Sequence, residues 1–255
     1  MKIKVDLEIG IDTRNPRFAR FFWSLLRDEF SELFPGMYGR DEPLSFQISN
    51  SSVDPLVEIG LENCYSIIWK PRDRPNVEGI LDFTNGKRHS AVTIYGNPKQ
   101  LSAPELQKVI LRTASEVPVV VGFVHLICDA EFEATRPWNR QLYQPFNSGI
   151  NPRELERYLP NLAWLTFFGR PYVDIMGADV LANTPAYWVE QVDDGYYVQL
   201  TEDIYDVANN YEAFDAVLEE AKAHIGRKFF FDKTGEVEQY VAPEFKYPEK
   251  WIPPT

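Results

Sequence analysis

Apolar and polar residues alternate from the start of the chain. Ile3, Val5, Leu7 and Ile9 fall on one side and Lys2, Lys4, Asp6 and Glu8 on the other, which predicts a half-buried strand over 2–9. The spacing then becomes helical. Phe18, Phe21, Phe22, Leu25, Leu26, Phe30 and Leu33 share one stripe, opened by Pro16 and stopped by Pro35-Gly36, so a helix is predicted within 15–34. Glu29 lies in that stripe, where a marginal acid reaching solvent is the ordinary outcome. From 37 to 100 the pattern predicts strands at Leu44–Ser49, Leu56–Gly60, Tyr65–Lys70, Gly79–Phe83 and Ser90–Tyr95, with Asn85-Gly86 as a hairpin turn. Ser102 and Glu105 have capping-box spacing ahead of Leu106, Val109 and Ile110, predicting a helix over 103–116. Val117–Ile127 is β-branched and apolar throughout, as in a strand buried on both faces.

Residues 129–161 carry Pro137, Pro145, Pro152 and Pro160 and read as a long connection with short helices. A strand at Leu162–Phe168 follows, then a short helix opened by Gly169-Arg170-Pro171 and ended by Gly177. Tyr187–Val192 and Tyr196–Thr201 flank Asp194-Gly195 as a hairpin. Pairing about that turn sets Val192 against Tyr197, Glu190 against Gln199 and Trp188 against Thr201. That face presents Trp188, Val192 and Tyr197, with Val189, Gln191, Val198 and Leu200 toward the core. A helix over 211–225 turns Phe214, Val217, Leu218, Ala221 and Ile225 inward and stops at Gly226. Lys228–Phe231 reads as a last strand, and the proline-bearing tail from Val241 as extended. Helices interspersed with hairpins predict an α+β fold, a largely antiparallel sheet with helices on one side, arranged as two strand–helix–strand halves. The corresponding division is 1–135, a connection at 136–161, a second half at 162–240 and a tail at 241–255.

Charge changes this picture. The 255 residues carry 38 Asp+Glu against 26 Lys+Arg, a formal net charge of -12. All of that excess lies in residues 174–221, which hold twelve acids and no Lys or Arg. Such a single-sign field either solvates a surface or steers a basic partner. Nucleic acid is not expected as a partner, because phosphates would be repelled. The longest apolar stretch, Val117 to Cys128, falls short of the roughly 20 residues that span a bilayer, so no membrane partner is expected either. Lys2, Lys4 and Asp6 argue against a signal peptide, and two cysteines make no disulfide framework; a reducing cytoplasm is the compartment expected.

No compact motif carries catalytic chemistry. HExxH, paired CxxC, GxSxG, GxxxxGK[ST] and GxGxxG are all absent, so neither a metal site nor a cofactor is expected, and no catalytic residue is assigned. Cys64 and Cys128 have apolar neighbours, which makes a thiol inert. His224, in the last turn of its helix, fits a capping role. The enzymatic alternative is a spatially assembled His/Cys or His/carboxylate site around His125. Segment 187–211 instead mixes acids with rings, and its candidates are Tyr187, Trp188, Glu190, Asp193, Asp194, Tyr197, Gln199, Glu202, Asp203, Tyr205 and Asp206. Tyr and Trp recur at interface hot spots, so these residues are candidates for binding a basic protein. The alternative is that the rings pack beneath the 211–225 helix.

The stretches Leu162-Ala-Trp-Leu-Thr-Phe-Phe-Gly169, Tyr172-Val-Asp-Ile-Met-Gly177, Thr184-Pro185 and Asp194-Gly-Tyr-Tyr-Val-Gln-Leu200 resemble bacterial immunity-type proteins that accompany polymorphic toxins or type VI secretion effectors. The resemblance implies a cytoplasmic, non-enzymatic inhibitor that neutralises a cognate toxin by occluding it.

Overall fold

The computed structural model describes residues 1–10, 15–48, 52–61, 66–82, 90–139, 152–232 and 235–245. The expected Asn85-Gly86 turn, Cys64, His89 and most of the tail lie outside the described residues. In chain order the elements are β1 (Lys2–Ile9), α1 (Pro16–Glu29), β2 (Pro35–Gly39), β3 (Phe46–Gln47), α2 (Asp54–Leu61), β4 (Ser66–Pro71), β5 (Val77–Asp82), β6 (Ser90–Gly96), α3 (Ala103–Ala114) and β7 (Val119–Ile127). There follow α4 (Asp129–Asn139), α5 (Pro152–Leu155), β8 (Leu165–Phe168), α6 (Arg170–Met176), α7 (Ala178–Ala182), β9 (Trp188–Val192), β10 (Gly195–Gln199), α8 (Asp206–Asn209) and α9 (Tyr211–Ile225). The strands hydrogen-bond in the order β3-β2-β4-β5-β6-β1-β7-β8-β10-β9, an open sheet accompanied by helices. The fold is α+β.

The chain forms two compact units. One joins Met1–Asp6 to Val120–Glu244, and the other is built on Leu7–Val119, so β1 contributes to both. Within the Leu7–Val119 unit, β2 pairs antiparallel with β3 and β4, β4 with β5, and β5 with β6. Its core is aromatic: Trp23 meets Trp69 edge-on at 5.0 Å, and the Trp69 indole N–H donates to Leu33 O at 3.1 Å. Gly79, opposite Trp69 in the β4–β5 ladder, has no room for a side chain, since a Cβ there would lie 2.0 Å from the indole. Asn15 and Ser102 cap α1 and α3 by accepting from Arg17 N–H and Glu105 N–H, and α3 sits where the capping-box spacing put it. Glu29 is exposed at the end of α1, as its marginal position implied, and takes a bidentate hydrogen bond from Arg112 of α3 at 2.7–3.1 Å.

In the Val120–Glu244 unit, β8 pairs antiparallel with β7 and β10, and β10 with β9. β7 is buried on both faces, as its apolar run predicts. Gly177 (φ 96°) and Gly226 (φ 123°) end α6 and α9 at the expected places, in the left-handed region that glycine tolerates.

Several sequence expectations give way. Leu56–Gly60 is helical, within α2, because Ser52 Oγ accepts from Asp54 N–H and Pro55 opens the first turn; the short apolar run alone does not tell strand from helix. Pro35-Gly36 starts β2 as well as ending the preceding turn. Lys228–Phe231 is not a strand: Arg227–Phe229 is a 3-10 turn, and Phe230 makes a single parallel bridge to Leu159. β1 is not half-buried, for Asp6 and Glu8 are interior along with its apolar residues; in the strand order it stands between β6 and β7. Asp6 is ion-paired with Lys4 at 2.7 Å.

Candidate functional site

The β9–β10 hairpin carries most of the candidate residues. Its turn is Asp193-Asp194, one residue earlier than the sequence predicts, and the ladder pairs Val192 with Gly195, Glu190 with Tyr197, and Trp188 with Gln199. Two local facts set this register. Asp193 takes φ 51°, which an Asp side chain tolerates, so the turn does not need the glycine. Gly195 is instead required inside the strand, where a Cβ would meet the Phe167 ring at 2.4 Å and Phe168 O at 2.8 Å. The shift keeps Trp188, Glu190, Val192, Tyr197 and Gln199 on one face, because each cross-strand pair slides by an even number of positions.

That face does not point outward along both strands. β10 lies between β8 and β9, and its residues are interior on both faces. Tyr197 is 0% exposed, with its ring 5.2 Å from Phe167 and 6.2 Å from Trp188, and burial pushes its phenol up. Gln199 is also buried, and its Nε2 donates to Thr201 O and Glu202 O at 2.8 and 3.3 Å. These two residues, expected at the surface, are interior.

The remaining candidates lie on β9, the turn, and the loop after β10. Glu190, Asp193, Asp194, Glu202 and Asp203 are exposed, Trp188 and Asp206 half-buried, and Tyr187 and Tyr205 are 57% and 38% exposed. The loop is held in place. The Trp164 indole N–H donates to Thr201 O at 3.0 Å, Asp203 Oδ1 accepts from Tyr205 N–H at 2.9 Å, and Ile204 is buried beneath. The Tyr187 phenol donates to the Glu202 carboxylate, which holds its pKa above the ordinary tyrosine value. At the ends of the acid-rich segment, cations from just outside it close in. Arg170 pairs with Asp174 at 2.7 Å, and Lys222 and Arg227 pair with Glu219 at 3.3 and 2.5 Å. Among the described residues, no ion pair reaches Glu190, Asp193, Asp194, Glu202, Asp203 or Asp206. The flanking positions of Arg170, Lys222 and Arg227 were visible in the sequence.

The histidine alternative has a different geometry. His125, on β7, is 3% exposed, and its Nδ1 accepts the Trp164 backbone N–H at 3.0 Å. The proton is therefore on Nε2, which faces both Glu131 carboxylate oxygens at 3.0 Å. Both ring nitrogens are engaged in the core, with Phe214 of α9 at 6.0 Å. Cys128 is buried, its thiol donates to Val207 O at 3.4 Å, and burial pushes its pKa up, as its apolar neighbours implied. His224, exposed in the last turn of α9, places Nε2 2.9 Å from Val180 O of α7. Among the described residues no three His, Cys, Asp or Glu side chains converge as a metal site, and no helix is long and apolar enough to cross a membrane.

No protein-family model matches the sequence, and no curated protein is significantly similar to it. The fold is similar to that of the Pseudomonas aeruginosa T6SS protein PA0821. The TM-score is 0.56 at 12% identity, over 94% of this chain and 78% of that one.

Proposed function

We propose that the chain is a non-enzymatic inhibitor, an immunity protein that neutralises a cognate bacterial toxin by binding it through an acidic surface. The observation that carries this reading is the run of exposed carboxylates at Glu190, Asp193, Asp194 and Asp203, which no ion pair reaches among the described residues, beside the exposed rings of Tyr187 and Tyr205. Capture begins as electrostatic encounter, because a single-sign patch raises the rate at which an oppositely charged protein arrives. Affinity then comes from desolvating a few rigid rings on a loop already ordered by its own hydrogen bonds. The sequence resemblance to immunity-type proteins and the fold likeness to a T6SS protein support a secretion-effector setting.

The test is co-expression with toxin-like effectors encoded beside this chain. Relief of the growth arrest caused by one of them is the expected result. Arrest that persists with every such effector, while the chain accumulates folded, contradicts the proposal.

A further inference from the structure

Building on that reading, we infer how the partner engages: a cationic segment of the toxin lies extended along the open edge of β9 and adds a strand to the sheet. Among the described residues, β9 ends the strand order and pairs on one side only, with β10. The two-residue turn at Asp193-Asp194 fixes which backbone groups are used. In an antiparallel ladder closed by such a turn, hydrogen-bonded and non-bonded pairs alternate outward from it. Val192, Glu190 and Trp188 therefore direct N–H and C=O toward β10, and Val189 and Gln191 direct theirs to the free edge. Unpaired edge groups of this kind are a template for another strand.

Edge strands are usually protected by being very short or by carrying Lys, Pro or a bulge. β3, at the other end of the strand order, is two residues long. β9 has five residues, no Lys or Pro, and an unbroken register. Its one charge, exposed Glu190, selects the occupant. Two copies of β9 paired antiparallel about this residue set Glu190 against Glu190, and directly opposed like charges are destabilising. A strand with Lys or Arg opposite Glu190 gains instead, and its cation also reaches the half-buried Trp188 ring on the same face. Asp193 and Asp194 extend the attraction past one end of the strand. The occupant is thus an extended segment of about five residues, cationic at alternate positions.

The probe is a synthetic peptide, acetyl-Lys-Val-Lys-Val-Lys-Val-Lys-amide, added to the whole chain at low ionic strength, with backbone amide exchange followed residue by residue. Saturation is expected to slow exchange at Val189 and Gln191 by about tenfold or more and leave Glu190, already bonded to β10, unchanged. The same peptide with N-methylvaline at its centre is expected to bind about tenfold more weakly. Binding without protection at Val189 and Gln191, equal affinity of the methylated peptide, or no binding overturns edge pairing. Failure of this inference is separable from failure of the inhibitor reading. A folded Val189→Pro variant that still relieves growth arrest in full overturns edge pairing alone, whereas a wild-type chain that relieves none overturns the reading beneath it. Should Val189→Pro not fold, the two peptides decide on the wild-type protein.

Discussion

Gly195 shows how one missing side chain sets the geometry of the candidate surface. A methyl group there would sit 2.4 Å from the Phe167 ring, so Gly195→Ala forces Phe167 or β10 to move. Overpacking of this kind costs about 1–3 kcal/mol, to be read from the shift in the urea unfolding midpoint; an unshifted midpoint would show that the ring has room to yield. His125 is a second such residue. Its ring satisfies the Trp164 N–H and the Glu131 carboxylate together, and His125→Leu removes both contacts from the core. A loss of about 3 kcal/mol or more is expected in the same experiment, because removing one member of a buried polar pair leaves the other's desolvation unrelieved. Cys128 makes a chemical prediction. In a Cys64→Ser background, the buried thiol with its raised pKa should resist iodoacetamide at neutral pH and react only after unfolding.

Whether an element was legible depended on how much of its signal was local. β1, α1, α3, α6 and α9 follow from period and capping residues carried by the elements themselves. The apolar run of β7 was long enough to read as a strand buried on both sides. The failures share a cause: α2, β2 and the Arg227–Phe229 turn are short, and a brief apolar run does not by itself tell strand from helix or turn. The hairpin was half legible. Two β-rich runs around an Asp/Gly turn were plain, but the glycine's purpose was to admit Phe167, a residue 28 positions earlier in the chain. The α1–α3 link is also non-local and leads to a pH prediction. Arg112 holds the Glu29 carboxyl below its ordinary pKa, chiefly through the side-chain hydrogen bond. A depressed carboxylate contributes stability above its unfolded pKa and loses it as pH falls through the folded value. Both side chains are over two-fifths exposed, so solvent screening keeps the contribution below about 1 kcal/mol. Glu29→Gln should therefore be slightly less stable than wild type at pH 7, with the gap narrowing as pH falls below the ordinary carboxylate range in matched urea titrations. A gap that widens on acidification would contradict the assignment.

At the scale of the whole molecule, the uneven charge could be read without a structure, and its exposure could not. Counting located twelve acids in residues 174–221, but only the structure separates Asp174 and Glu219, paired by flanking cations, from Glu190, Asp193, Asp194 and Asp203, which no ion pair reaches among the described residues. They also remove Tyr197 and Gln199 from the candidate surface, since a strand flanked on both edges and covered on both faces has nothing left to present. What remains is β9, its turn and the loop to α8. Under the proposed function, these carboxylates set the speed of capture. The most direct measurement is the association rate with the effector relieved by this chain, taken over a range of salt concentrations for wild type and for Glu190→Lys combined with Asp203→Lys. The expected result is a wild-type rate that falls steeply with salt, and a double variant that is slower at low salt, about tenfold or more, with a flatter dependence. Equal rates and equal salt slopes for the two proteins would contradict it.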